Sequence, residues 1–299
     1  MYSIFPTAQK LFNELSVLIN ECPLFNNWRG GVKHPKNRLI VNYQLFFNFA
    51  LMITKAEIQL VRSLADKRNR DELRLFVAEG EKLIEELRHS TLRIRKIYAL
   101  EGVLSGSDVE RVSAKDMERM SMLKTANNSL AVVEQPQHHF DPKILSEGLV
   151  LALDDVQNPG NLGTIIRLAD WFGISDIICS AATADCFNPK VVQATMGAIL
   201  RVRVHYLDLP TVLHTAKERN IPIYGTFLDG ENIYTSNLQQ RGIIVMGNEG
   251  KGISEACAAA VTDRLFIPPY PADRSGSESL NVAIATAVTC AEFRRQAKK

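Results

Sequence analysis

Cysteine and excess charge are both scarce in this chain. Its five cysteines (Cys22, Cys179, Cys186, Cys257 and Cys290) are odd in number, scattered and without a Cys-x-x-Cys pair. Neither a disulfide framework nor a zinc site is indicated, and a reducing cytoplasm is expected. A formal net charge of only +2 excludes binding nucleic acid by overall charge, so an RNA partner would need local patches. No apolar run spans a bilayer: the longest near the N-terminus, Leu45 to Ile53, is interrupted by Asn48. A secretory signal is missing too, since the segment after Lys10 is broken by Asn13, Glu14, Asn20 and Glu21. Also absent are the usual phosphate-binding spacings. Gly247-x-x-Gly250-x-Gly252 fits neither a nucleotide-triphosphate loop nor a dinucleotide fingerprint, Lys251 is not followed by a hydroxyl residue, and Glu249 would repel phosphates. An NTPase and a dinucleotide-dependent dehydrogenase fail on those grounds.

What is present is an ordinary globular composition, 46% hydrophobic and 23% charged, in a chain long enough for two domains. Residues 1–51 are rich in Phe and Asn and show no sustained period. They read as an upstream or disordered extension, with Met52 as the natural start. Residues 52–134 alternate helix-like and strand-like segments: Ile53 to Leu64, Leu75 to Ala78, Glu81 to Leu87, Ile94 to Leu100, Ala114 to Met120 and Leu130 to Val133. That alternation predicts a small α/β domain, with Lys67-Arg68-Asn69-Arg70 as a solvated face or, alternatively, a place for an RNA backbone to dock. Residues 135–147, carrying Pro136, His138, His139 and Pro142, read as a linker with exposed histidines.

Residues 148–299 predict a second α/β domain with a mostly parallel sheet of about six strands. Its strands are Leu149 to Leu153, Ile177 to Cys179, Arg201 to Val204, Ile221 to Phe227, Ile243 to Met246 and Leu265 to Ile267. Helices fall between them: Leu162 to Phe172 with Asn161 as N-cap, Lys190 to Leu200, Thr211 to Arg219, Ser254 to Val261 and Leu280 to Arg295. Gly163 is expected to clear space beside Arg167, whose plain alternative is a surface pair with Asp170. The apolar run Ile243-Ile244-Val245-Met246 opens into Gly247-Asn248-Glu249-Gly250-Lys251-Gly252. Ligands sit at such carboxyl ends in open α/β sheets, and glycines let the backbone approach them.

Three separated motifs stand together: Asn161-x-Gly163-x-x-x-Arg167, Met246-Gly247-Asn248-Glu249-Gly250, and Ser279-Leu280-Asn281 opening a small-residue helix. With Asn188-Pro189-Lys190-Val191-Val192 and Met196-Gly197-Ala198 between them, this order resembles the SpoU (TrmH) family of RNA ribose 2′-O-methyltransferases. Phe76-Val77-Ala78-Glu79-Gly80-x-Lys82 is similar to the N-terminal substrate-binding domain of the rRNA-directed branch. The resemblance implies a SPOUT domain with a deep C-terminal trefoil knot, a homodimer, and S-adenosylmethionine as methyl donor with no metal. By motif position it implies donor contacts at Gly247, Ile267 and Leu280, with Thr226 and Met246 as neighbours. Asn161, Arg167, Glu249, Ser279 and Asn281 would be the catalytic set. The family casts its arginine as a general base; a guanidinium with a pKa above about 12 is better suited to clamp a phosphate and stabilise the 2′-oxygen. Ribosomal RNA is the expected substrate; tRNA, or a non-catalytic RNA-binding assembly role, are the alternatives. Between Ile267 and Ser279 the connection is longer than usual for the family and reads as a surface insertion, the alternative being an RNA contact through Tyr270 and Arg274.

Overall fold

A computed structural model describes residues 53–271 and 279–297; the expectations for residues 1–51 and for Arg274 lie outside these. The first sheet is built from β1 (Leu75–Glu79), β2 (Ile94–Ala99), β3 (Val109–Arg111) and β4 (Ser129–Glu134), in the order β1-β4-β2-β3. β4 runs antiparallel to both β1 and β2, while β3 joins β2 in parallel. Around it lie α1 (Lys55–Ser63), α2 (Lys67–Leu73), α3 (Glu81–Arg88) and α4 (Ala114–Met120). α1 begins with a capping box in which Thr54 and Glu57 satisfy each other's backbone N–H groups.

The expected solvated face at Lys67 to Arg70 is corrected by the structure. Lys67 and Arg68 do pair at the surface with Asp71 and Glu72, one turn on, but Arg70 turns inward and is 1% exposed. Its guanidinium donates to Leu64 O and Ala65 O, both at 2.8 Å, and to the Asp185 carboxylate. A buried cation persists only with such partners.

The linker stretch is pinned at both ends. Gln135 is buried and its side-chain amide donates to Arg70 O and Leu75 O, while α5 (Ile144–Glu147) buries Leu145 under the second sheet. His138 and His139 are exposed, as expected.

The second sheet has six strands in the order β10-β8-β9-β5-β6-β7, all parallel. These are β5 (Leu149–Leu153), β6 (Asp176–Cys179), β7 (Arg203–Tyr206), β8 (Ile223–Asn232), β9 (Gly242–Met246) and β10 (Asp263–Phe266). Every residue of β5 and β9 is buried, because helices cover both faces. Those helices are α6 (Pro159–Trp171), α7 (Pro189–Ala194), α8 (Leu209–Glu218), α9 (Glu255–Ala258) and α10 (Val282–Arg295).

The single helix expected over Lys190 to Leu200 is two pieces. α7 stops at Ala194, the chain turns through Met196 and Gly197 at φ of 50° and 90°, and a short 3-10 turn follows at Ala198–Leu200. A left-handed pair cannot continue a right-handed helix. α6 also starts earlier than expected. Its cap is Asn158, whose side chain accepts from Gly160 N and Asn161 N, and Pro159 occupies the first helical position, where a missing N–H costs nothing.

Candidate active site at the carboxyl edge of the parallel sheet

The strand order reverses direction between β5 and β9. From β5 the chain steps outward to β6 and then β7; β8 and β9 return on the other side. Crevices at such switch points, beyond the carboxyl ends, are where ligands bind in open α/β sheets. Three of the sequence motifs meet there.

Because Asn158 takes over the cap, the Asn161 side chain is free to point elsewhere. Its Nδ2 donates to Glu249 Oε1 at 2.7 Å, and its Oδ1 accepts from Asn281 Nδ2 at 3.1 Å. Asn281 uses its other end to cap α10, with Oδ1 accepting from Ala283 N and Ile284 N. One amide thus ties together residues 88 and 120 positions away.

The glycine loop after β9 is closed on itself. Asn248 and Gly252 exchange two backbone hydrogen bonds of 2.9 Å, and a Cβ on Gly247 would collide with the Gly252 and Ile253 backbone, lying 2.5 Å from Gly252 O. Asn248, which the sequence reading did not assign, staples the loop to β5. Its Nδ2 donates to Asp155 O at 2.8 Å, while its Oδ1 accepts from Gly250 N and Lys251 N. Asn followed two residues later by Gly is an Asx-turn signal that could have found it. On the β5 side, Asp154 accepts from Ser254 N at 2.8 Å.

The remaining expected residues take separate positions on the same edge. Thr226 stands where β8 leaves its pairing with β10: Arg264 faces Gly225, but Leu265 faces Glu231. Its hydroxyl lies 3.3 Å from Val245 O and 3.7 Å from the Met246 sulfur. Met246 itself is 1% exposed, so a ligand could reach only its backbone. Ile267 follows β10, half-buried against the main core, and Leu280 is 51% exposed just before α10. Ser279 is exposed and forms no side-chain hydrogen bond among the described residues.

Two expectations about Arg167 are corrected. Asp170 pairs with Arg201 at 2.9 Å, and exposed Arg167 forms no ion pair among the described residues. Gly163 makes room for α7: a Cβ there would stand 2.5 Å from Ala194 Cβ and 2.8 Å from Val191 O. Arg167 lies two turns along α6 from Asn161.

Chemically, the edge offers paired amides, one exposed carboxylate, a glycine-lined turn and exposed apolar Leu280, while Arg167, farther along α6, has a guanidinium unpaired among the described residues. That set suits a ligand with an apolar body and polar groups that hydrogen-bond to backbone, as the donor implied by the resemblance has. Thiol chemistry is disfavoured: Cys179, Cys186, Cys257 and Cys290 are buried, and burial raises Cys257 to about 11 and both Cys186 and Cys290 to about 12. Among the described residues no group of three or more His, Cys, Asp or Glu side chains could hold a metal ion. A cavity of about 330 Å³ beyond β6 and β7, lined by Tyr206, Leu207 and Pro210, is separate from this cluster.

Comparison with known proteins gives a consistent picture. Residues 148–291 match the SpoU rRNA Methylase family, and residues 55–140 match the MRM3-like substrate binding domain. The chain is 30% identical over 234 residues to the 23S rRNA (guanosine(2553)-2′-O)-methyltransferase RlmP of Bacillus subtilis (strain 168), covering 76% of this chain and 91% of that protein. It is 32% identical over 196 residues to the 23S rRNA (guanosine-2′-O-)-methyltransferase RlmB of Neisseria meningitidis, covering 62% and 77% respectively. A Porphyromonas gingivalis structure assigned to the TrmH family of RNA methyltransferases superposes with a TM-score of 0.73 at 40% identity, over 82% of this chain and 100% of that one. An AdoMet-bound rRNA methyltransferase from Sinorhizobium meliloti superposes at 0.70 with 28% identity, over 83% and 97%.

Proposed function

The chain belongs to the SpoU rRNA methylase family, and from that premise we propose that it transfers a methyl group from S-adenosylmethionine to a ribose 2′-hydroxyl of ribosomal RNA. The observation that carries this reading is the Asn281–Asn161–Glu249 chain of hydrogen bonds, which gathers three distant motifs at one switch point.

When bound, S-adenosylmethionine supplies an electrophilic methyl group, so the protein's share is positioning and charge stabilisation. Gly247, Ile267 and Leu280 would hold the donor, with Thr226 and the Met246 backbone beside them. Asn161 and Asn281 hold the ribose-facing side of the site in register, and Glu249 fixes the loop. Ser279, whose hydroxyl has no partner among the described residues, would offer it to the ribose. Arg167, uncommitted among the described residues, would hold the nucleotide's phosphate with a forked guanidinium and stabilise negative charge on the 2′-oxygen.

The reading also includes the family's C-terminal trefoil knot and a homodimer. In its support, the packed helices α6 and α10 each expose a large apolar side chain, Trp171 at 83% at the end of α6 and Ile284 at 54% near the start of α10, which a second copy would cover. Ribosomal RNA is favoured over tRNA because this chain carries the substrate-binding module and the relatives it matches are named for 23S rRNA. A purely RNA-binding role is disfavoured, since binding alone needs no such amide cluster.

The test is to incubate the purified chain with radiolabelled S-adenosylmethionine and ribosomal RNA from cells lacking the protein, then map ribose methylation. One alkali-resistant linkage at a defined nucleotide is expected. Methyl groups on bases, or no donor binding by calorimetry, would overturn the proposal.

A further inference from the structure

The four-stranded module does not hang from its linker. Arg70 of α2 reaches across to Asp185, just before α7, donating from Nε at 3.0 Å and Nη2 at 2.6 Å. The Arg70 side chain is buried at 2% exposure and that of Asp185 is mostly covered, at 11%. Pulling the module away would break both of these charge-assisted hydrogen bonds. The apolar interior continues across the same boundary. Phe76 of β1 meets Phe187 at 4.9 Å between ring centroids, and Val192 of α7 is buried among Phe76, Ala78, Ile84 and Val133.

A second connection runs from the module to α6 itself. Arg201 donates through Nη1 to Glu86 of α3 at 3.1 Å and through Nε to both oxygens of Asp170 at 3.1 and 3.0 Å. Asp170 is three residues beyond Arg167 on the same helix. α7, held on one side by the module, leans on α6 at Gly163 on the other. Any tilt of the module is therefore passed to the helix bearing Asn161 and Arg167.

We propose that the small module is a fixed ruler, and that Arg70, Asp185, Glu86 and Arg201 are positioning residues setting which ribose of a module-bound RNA reaches α6. This rests on the functional reading above and adds to it how the nucleotide is selected: by a rigid span between two contacts on one RNA. An independently swinging module would allow many spans; a locked one allows few.

The test uses the full chain with Asp185→Asn and, separately, Arg201→Gln. KM and kcat are measured with ribosomal RNA from cells lacking the protein, donor affinity by calorimetry, melting temperature by scanning, and methylated riboses by mapping. Each variant is expected to raise KM for RNA at least tenfold and to place methyl groups on additional riboses, with donor Kd within twofold of the unaltered chain. A lowered melting temperature with KM and the methylation map unmoved means the contacts only hold the fold, and overturns the ruler. Should Asp185→Asn not fold, Arg201→Gln decides alone, because that guanidinium is 49% exposed and its loss opens no core. An unaltered chain that methylates nothing overturns the functional reading and the ruler together, whereas an active unaltered chain beside unmoved variants overturns the ruler only.

Discussion

Two glycines three residues apart in the loop after β9 should respond unequally to alanine. At Gly247 an added Cβ would lie 2.5 Å from Gly252 O and closer still to the Gly252 and Ile253 backbone; ordinary contact begins at 3.4 Å. The facing backbone would have to retreat by more than about 0.9 Å, the difference between those distances, and no flexible side chain is available to give way. Such a shift breaks the two 2.9 Å hydrogen bonds between Asn248 and Gly252. At about 0.5–1.5 kcal/mol each, the loop loses about 1–3 kcal/mol. If the closed loop holds the methyl donor, that loss weakens its Kd by about 5- to 150-fold. At Gly250 the nearest atom to an added Cβ is Asn248 Oδ1 at 3.7 Å, and φ is not in the left-handed region, so Gly250→Ala should bind donor within about threefold of the unaltered chain. Calorimetry with S-adenosylmethionine on the two variants measures the contrast. Equal effects, or undiminished binding by Gly247→Ala, would refute the assignment of this loop to the donor.

Other outcomes follow from single side chains. Arg167→Ala should change stability by less than about 0.5 kcal/mol, since the residue is exposed and unpaired among the described residues, yet lower turnover by about 10²–10³-fold. Arg167→Lys should not restore turnover, because a point charge cannot replace a fork; methylation kinetics beside a thermal melt check both. Trp171→Glu should convert a dimer to monomer in analytical ultracentrifugation, and a wild-type chain already monomeric at tens of micromolar would contradict the assembly. For acid stability, burial alone would raise the Asp176 carboxyl, but hydrogen bonds from His205 and Arg203 outweigh it and hold it at about 2. A depressed pKa contributes stability above the unfolded value and loses it as pH falls toward 2, here about 1–2 kcal/mol after allowing for the half-exposed Arg203. Asp176→Asn should therefore flatten the fall in melting temperature between about pH 4 and pH 2.

The central strands β5 and β9 were legible because burial on both faces leaves uninterrupted apolar runs, Leu149 to Leu153 and Ile243 to Met246. The convergence of Asn161, Glu249 and Asn281 was legible only from motif order, since hydrogen bonds spanning 88 and 120 residues leave no local trace. Arg70 shows the same limit. Within a charge run its neighbours pair one turn away, and nothing nearby announces a partner 115 residues later. The misplaced cap is different, because the signal was there: Pro159 fits the first helical position, which makes Asn158 the cap and frees Asn161. Gly163 was read for the wrong neighbour. An absent side chain says that something comes close, not what, and here it is α7 at Ala194 and Val191.

Asn281 performs two tasks with the two ends of one amide, and a single substitution can separate them. Its Oδ1 caps α10; its Nδ2 donates to Asn161 Oδ1. Asn281→Asp keeps the acceptor and adds a negative charge at a helix N-terminus, so the cap and the melting temperature should survive. The donor, however, is gone. Asn161 would then sit between two acceptors, Glu249 and Asp at position 281, with a single NH2 to offer. Facing one carboxylate turns its own oxygen toward the other, and no flip of the amide satisfies both. The catalytic register should therefore be lost without loss of fold: melting within about 2 °C of the unaltered chain, and turnover reduced at least about tenfold. Melting and methylation assays on the same preparation decide it, and full activity in a variant that melts normally would show that the link between Asn161 and Asn281 is dispensable to the chemistry.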